Sequence, residues 1–129
     1  MKMTATMAMG LASILFLFAI IIGVMLAFAR FGKDRNPPPV LVWWHGAFAI
    51  LGFLILLFGA AFVGLPATAN TGVVLLALAA LGGLIMHFKY DRKRALIPVP
   101  MVWVHGVIAL IGFLMILYAM LNIADTTQI

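Results

Sequence analysis

Three histidines, His45, His87 and His105, are the residues of this 129-residue chain best suited to hold a metal or move a proton. Two of them sit in near copies of one another, LVWWHGAFAILGFL at 41–54 and MVWVHGVIALIGFL at 101–114. Imidazole is a common ligand of metal ions and of haem iron. An ionisable group within an apolar run is expensive to hold in lipid, which makes each histidine a functional candidate. Little else in the chain competes with them. There is no cysteine, so disulfides, thiolate nucleophiles and cysteine-bound zinc or iron–sulfur centres are excluded. There is no glutamate, and Asp34, Asp91 and Asp125 read as loop or tail residues, so paired-carboxylate catalysis and a carboxylate proton path lack their residues. Ser13 is the only serine, and no glycine cluster is followed by the lysine of a phosphate-binding loop. Nine methionines are soft enough for copper(I), but they are scattered.

The elements that carry the histidines follow from composition. The chain is 67% hydrophobic and 9% charged, where a soluble chain carries about a quarter charged residues. Four apolar runs, at 7–29, 40–63, 72–88 and 99–121, are each near the ~20 residues that cross a ~30 Å hydrocarbon layer as a helix. In lipid every backbone group needs an internal partner, and helices provide it. The expectation is an all-α integral membrane four-helix bundle, one domain over residues 1–129. Lys2, the long apolar stretch and Ala27-Phe28-Ala29 imitate a cleavable signal. The run exceeds the 7–15 apolar residues of a signal core, so it is read as a retained first helix.

Seven of the eight basic residues, Arg30, Lys33, Arg35, Lys89, Arg92, Lys93 and Arg94, are assigned to two short loops, while GLPATANTG at 64–72 is uncharged. The net charge of +5 is therefore read as topology and not as a nucleic-acid footprint. Short basic loops stay cytoplasmic, which puts both termini on the non-cytoplasmic side of a bacterial inner membrane. An anionic-lipid or partner site is the other use of such a charge cluster.

Slid against itself by sixty positions, residues 38–57 match 98–117 at ten places, among them Pro38/Pro98, Trp43/Trp103, His45/His105, Gly46/Gly106 and Gly52/Gly112. Leu15/Leu75, Ala19/Ala79, Gly23/Gly83 and Phe28/Phe88 extend the offset through the first and third runs. The predicted unit is a two-helix hairpin used twice, at about 7–63 and 72–121. An even number of crossings gives the copies the same orientation, related by an axis along the membrane normal. Helices 2 and 4 are then diagonal partners. Pro37 to Pro39 and Pro98-x-Pro100 mark where those helices begin, which sets His45 and His105 at one depth. Trp43, Trp44 and Trp103 fit an interfacial aromatic belt.

At about 100° per residue, Ala49 and Gly52 fall within about 40° of His45 on a helical wheel, as Ala109 and Gly112 do of His105. With Gly46 and Gly106, these small residues are expected to line a flat slot entered by one imidazole from each side. One haem b fits such a slot, with His45 and His105 as axial ligands of its iron. The same small residues also permit close helix packing with no cofactor. His87 has Ala27 as its counterpart at the offset of sixty; it is read as an interfacial histidine, a second-layer partner or an alternative ligand.

This layout resembles membrane-embedded b-type cytochromes, in which histidines on different helices clamp haem. It also resembles short four-helix bacterial membrane proteins with two Pro-x-x-x-x-His-Gly-like helix starts, carried here by Pro38 to Gly46 and Pro98 to Gly106. The first resemblance implies bis-histidine ligation by His45 and His105 and an electron-transfer role, as a carrier and not an enzyme by itself. The expected partners are membrane lipid and a larger respiratory or photosynthetic complex, with quinone a candidate for electron exchange. The chain departs from two-haem transmembrane cytochromes, which use two histidine pairs. The alternatives are a cofactor-free structural or assembly subunit and a small metal-handling membrane protein.

Overall fold

The computed structural model describes residues 1–126, and among them only helices and connecting turns occur. Helix α1 covers Ala5–Arg30, α2 Pro39–Phe58, α3 Ala67–Ile85 and α4 Val99–Thr126. Helix α2 runs on through a π-helical turn, Gly59–Val63, and α3 through another, Met86–Asp91. All four are long and apolar enough to cross a membrane. Each start has a local cause. The Thr4 hydroxyl accepts from Met7 N at 3.1 Å and caps α1, and Pro39 stands in the first turn of α2, where its missing N–H costs little. Gly64, at φ +88, turns the chain sharply after α2.

Four boundaries differ from the hydropathy reading. The neutral loop shrinks to residues 64–66, because α3 begins at Ala67 and not at 72. Thr71 and Asn70, polar residues that read as loop, belong to the start of that helix: Thr71 Oγ1 donates back to Ala67 O at 3.1 Å and Asn70 Nδ2 to Leu65 O at 3.2 Å. Arg30 is the last residue of α1, and its side chain is buried. Asp91 closes the π-helical turn after α3, and Asp125 lies on α4, which continues to Thr126.

Helix α1 packs against α2 and α4, and α3 against α4 and α2, so α2 and α4 are diagonal in the bundle. The buried core occupies one half of its length. Met9, Ala12 and Phe16 of α1 meet Leu56, Ala69, Val73, Leu76, Phe113 and Ile116 near the 64–66 turn. In the other half no residue is buried over 20–29, 38–51, 80–96 or 98–111. The bundle is covered in its neutral half and again at the basic end at Arg30, Pro37 and Ile97, and the described residues between those levels are half-buried or exposed.

Two side chains tie the basic end together. Arg30 Nε donates to Ile97 O at 2.9 Å and its Nη1 to Lys33 O at 2.8 Å. Asn36 bridges to the opposite loop, donating to Ala95 O at 2.8 Å while its Oδ1 accepts from Ile97 N at 3.0 Å. The 31–38 and 92–98 connections are thereby held side by side.

Candidate functional site

His45 on α2 and His105 on α4 meet across the bundle, their ring centroids 6.1 Å apart and their planes at 70°. Each is held by the neighbouring helix of its own hairpin. His45 Nδ1 lies 2.8 Å from Ala19 O on α1, and His105 Nδ1 lies 2.8 Å from Ala79 O on α3. A carbonyl oxygen only accepts, so in both rings Nδ1 carries the proton and donates. The neutral ring then leaves Nε2 as a bare acceptor, the arrangement that second-layer hydrogen bonds impose on metal-ligating histidines.

Glycines let these rings approach the backbone so closely. A Cβ at Gly23 would stand 3.0 Å from His45 Cε1, and one at Gly83 would stand 3.3 Å from His105 Cε1. Gly82 faces the same ring, at 3.8 Å from His105 Nδ1. Ala19, Ala79, Gly23 and Gly83 carry no chemistry of their own in their side chains. Their identity at the offset of sixty is the one sequence signal they give.

The glycines expected to line a slot divide into two groups. Gly52 packs on α1, where its Cβ would lie 3.3 Å from Ala12 O, and Gly112 packs on α3, with Leu76 Cγ at 3.0 Å and Gly72 O at 3.1 Å. They serve close contact within each hairpin, where backbones meet, and do not open a gap between α2 and α4. Gly46 and Gly106 have nothing within 4 Å of an added Cβ. Ala49 and Ala109 are half-buried. The six small residues thus do not form one glycine-lined groove at the histidines.

His87 keeps other company. Its ring packs edge-on against Trp43 at 5.8 Å and Phe88 at 5.0 Å, and Nδ1 is 3.4 Å from Asp91 Oδ2 without forming a hydrogen bond. It lines a cleft of about 880 Å³ at the basic end, between the start of α2 and the end of α3.

Two imidazoles on opposite sides of one metal ion, with bonds of about 2.0 Å and about 1.1 Å from nitrogen to ring centre, have centroids about 6.2 Å apart. The observed 6.1 Å matches that spacing. An edge-to-face ring contact has the same separation, so the distance alone does not demand an ion. The two bare Nε2 atoms single the pair out. Among the described residues no three His, Cys, Asp or Glu side chains gather into a metal-sized group. The pair offers two donors where a closed zinc site uses four, and a porphyrin brings the other four nitrogens itself. Compared with family models, curated proteins and solved structures, the chain matches nothing, so its reading rests on its own residues.

Proposed function

We propose that this chain is a b-type haem-binding membrane protein in electron transfer, built as two repeated helical hairpins with one haem b between His45 and His105. The observation that carries the reading is the pair of adjacent imidazoles, each half-buried and tied by its Nδ1–H to a backbone carbonyl, which leaves Nε2 free of a proton in the neutral ring. The haem, when bound, supplies a one-electron couple. The protein's own residues do the rest: the Ala19 and Ala79 carbonyls orient the rings and fix their tautomer, while the apolar helices limit water and so help set the potential.

In this reading the chain is an electron carrier, a small subunit or partner of a larger respiratory or photosynthetic complex in a bacterial inner membrane, with quinone as a candidate for exchange. The basic loops face the cytoplasm and both termini the other side, as the charge distribution favours. A cofactor-free structural subunit is the second reading. It draws on the backbone contacts of Gly52, Gly72 and Gly112, which are those of a bundle built for close packing.

A reduced-minus-oxidised spectrum of the purified protein separates the two. The cytochrome reading expects a Soret band and low-spin α and β bands. His45→Ala and His105→Ala each abolish the low-spin signature, and His87→Ala leaves it intact. A protein that shows no Soret band and gains none on haem addition is the structural subunit. One that instead retains zinc or copper through His45 and His105 is the metal-handling protein.

A further inference from the structure

We propose that the cleft at the basic end is a binding site for a phosphate-bearing anion, of which the phosphodiester of an anionic lipid headgroup is the form a membrane supplies. The inference stands independently of any haem at the histidine pair. The cleft of about 880 Å³ is lined by Arg35, Arg92 and Arg94 against two carboxylates, Asp34 and Asp91. Asp91 Oδ2 lies 3.4 Å from His87 Nδ1. Three arginines lining one cavity supply the donor type that recognises phosphate, because each guanidinium offers a planar fork of N–H groups that stays charged.

A separate observation concerns Arg94. Its φ is +56, the one positive value among the described non-glycine residues. Glycine takes that conformation freely and an L side chain does not. The turn is held in place by Arg94 N to Asp91 O at 3.0 Å and Ala95 N to Tyr90 O at 2.8 Å. An arginine kept at a glycine-type position, lining the cleft, points to a use for its side chain beyond the turn. The walls are preformed: Asn36 locks the two loops together through Ala95 and Ile97, and Arg92 rests over the Phe88 ring at 5.7 Å. Trp43 and Phe88, exposed at the cleft edge, suit the glycerol and upper acyl region of a lipid whose phosphate lies among the arginines.

The test uses the detergent-purified full chain, with melting midpoint and native mass spectrometry as readouts, against short-chain phosphatidylglycerol, short-chain phosphatidylcholine and inorganic phosphate. Phosphatidylglycerol is expected to raise the midpoint and stay bound, and phosphatidylcholine is not. Arg94→Gly removes the side chain while relieving the backbone, so it folds, and it should weaken phosphatidylglycerol binding about tenfold, the worth of one charge-assisted contact. Arg94→Lys keeps the charge and should recover part of that loss. Lys33→Ala removes an equal charge outside the cleft and should leave binding unchanged. Stabilisation by inorganic phosphate with the same dependence on Arg94 assigns the site to free phosphate; stabilisation by phosphatidylglycerol alone assigns it to lipid. Equal response to phosphatidylcholine, equal loss with Lys33→Ala, or no response to either anion overturns the proposal.

Discussion

His45 and His105, sixty residues apart in the chain, stand 6.1 Å apart in the bundle, and each donates its Nδ1 proton to a carbonyl sixty residues from the other's, Ala19 and Ala79. The two rings therefore share one tautomer, with Nε2 left unprotonated in each neutral ring. Each hairpin fixes this tautomer through its own Nδ1–carbonyl bond.

Replacing one of the two proposed axial nitrogens by a thioether tests ligation without emptying the site. His105→Met is expected to keep haem bound and raise its midpoint potential, because methionine–histidine ligation favours the reduced iron relative to two histidines. A redox titration of wild type and variant reads the shift. An unchanged potential would mean that His105 is not on the iron.

The two kinds of glycine make opposite predictions. Gly112→Ala drives a Cβ to 3.0 Å from Leu76 Cγ and 3.1 Å from Gly72 O, and should destabilise the protein by about 1–3 kcal/mol through overpacking. Gly106→Ala meets nothing within 4 Å and should be neutral or stabilising by up to about 1 kcal/mol, the usual gain of alanine over glycine within a helix. Thermal unfolding in detergent measures both. A large loss from Gly106→Ala would restore the slot-lining role that its position beside His105 suggests.

Gly23 and Gly83 control where the rings sit. A methyl at Gly23 reaches 3.0 Å from His45 Cε1 and one at Gly83 only 3.3 Å from His105 Cε1. Gly23→Ala should therefore displace its histidine more than Gly83→Ala does. Electron paramagnetic resonance of the oxidised protein is sensitive to axial ring orientation and should show the larger change for Gly23→Ala.

At the basic end, Arg30→Ala removes two hydrogen bonds from a buried guanidinium and should cost about 1–3 kcal/mol, in part because it strands the Ile97 carbonyl. Asn36→Ala breaks both of its links to the opposite loop and should cost about 1–2 kcal/mol. Faster proteolysis within 31–38 or 92–98 is the accompanying sign. Cleavage unchanged in both variants would show that the loops are held by something else.

Because the chain has no cysteine, single-cysteine variants report topology without background. Lys33→Cys should resist a membrane-impermeant maleimide in intact bacteria, and Ala67→Cys, exposed at the first residue of α3 beside the neutral turn, should react. The reverse pattern inverts the proposed orientation.

The four spans are legible in the sequence because hydropathy is a local sum over some twenty residues, and α1, α2 and α4 begin and end within a few residues of where the apolar runs do. The start of α3 at Ala67 is hidden because Asn70 and Thr71 read as loop. Their polarity is absorbed by bonds back to Leu65 and Ala67, which no composition reveals. His45 and His105 stand out by rarity, and the Pro38 and Pro98 helix starts put them at one depth. Ala19 and Ala79 do not stand out, since they act through their backbone oxygens and any residue has one.

Sequence alone determined what is apolar enough to cross the membrane and at what level the histidines lie, because both follow from distances along a helix. Tertiary structure decided which way each helix turns: that Gly52 and Gly112 face their own hairpins, that Gly46 and Gly106 face open space, and that the main hydrophobic core lies in the neutral half. A helix whose lipid-facing and inward-facing sides are equally apolar carries no stripe to mark its inner face. Its rotation is settled by contacts between helices, which become visible only once all four are in place.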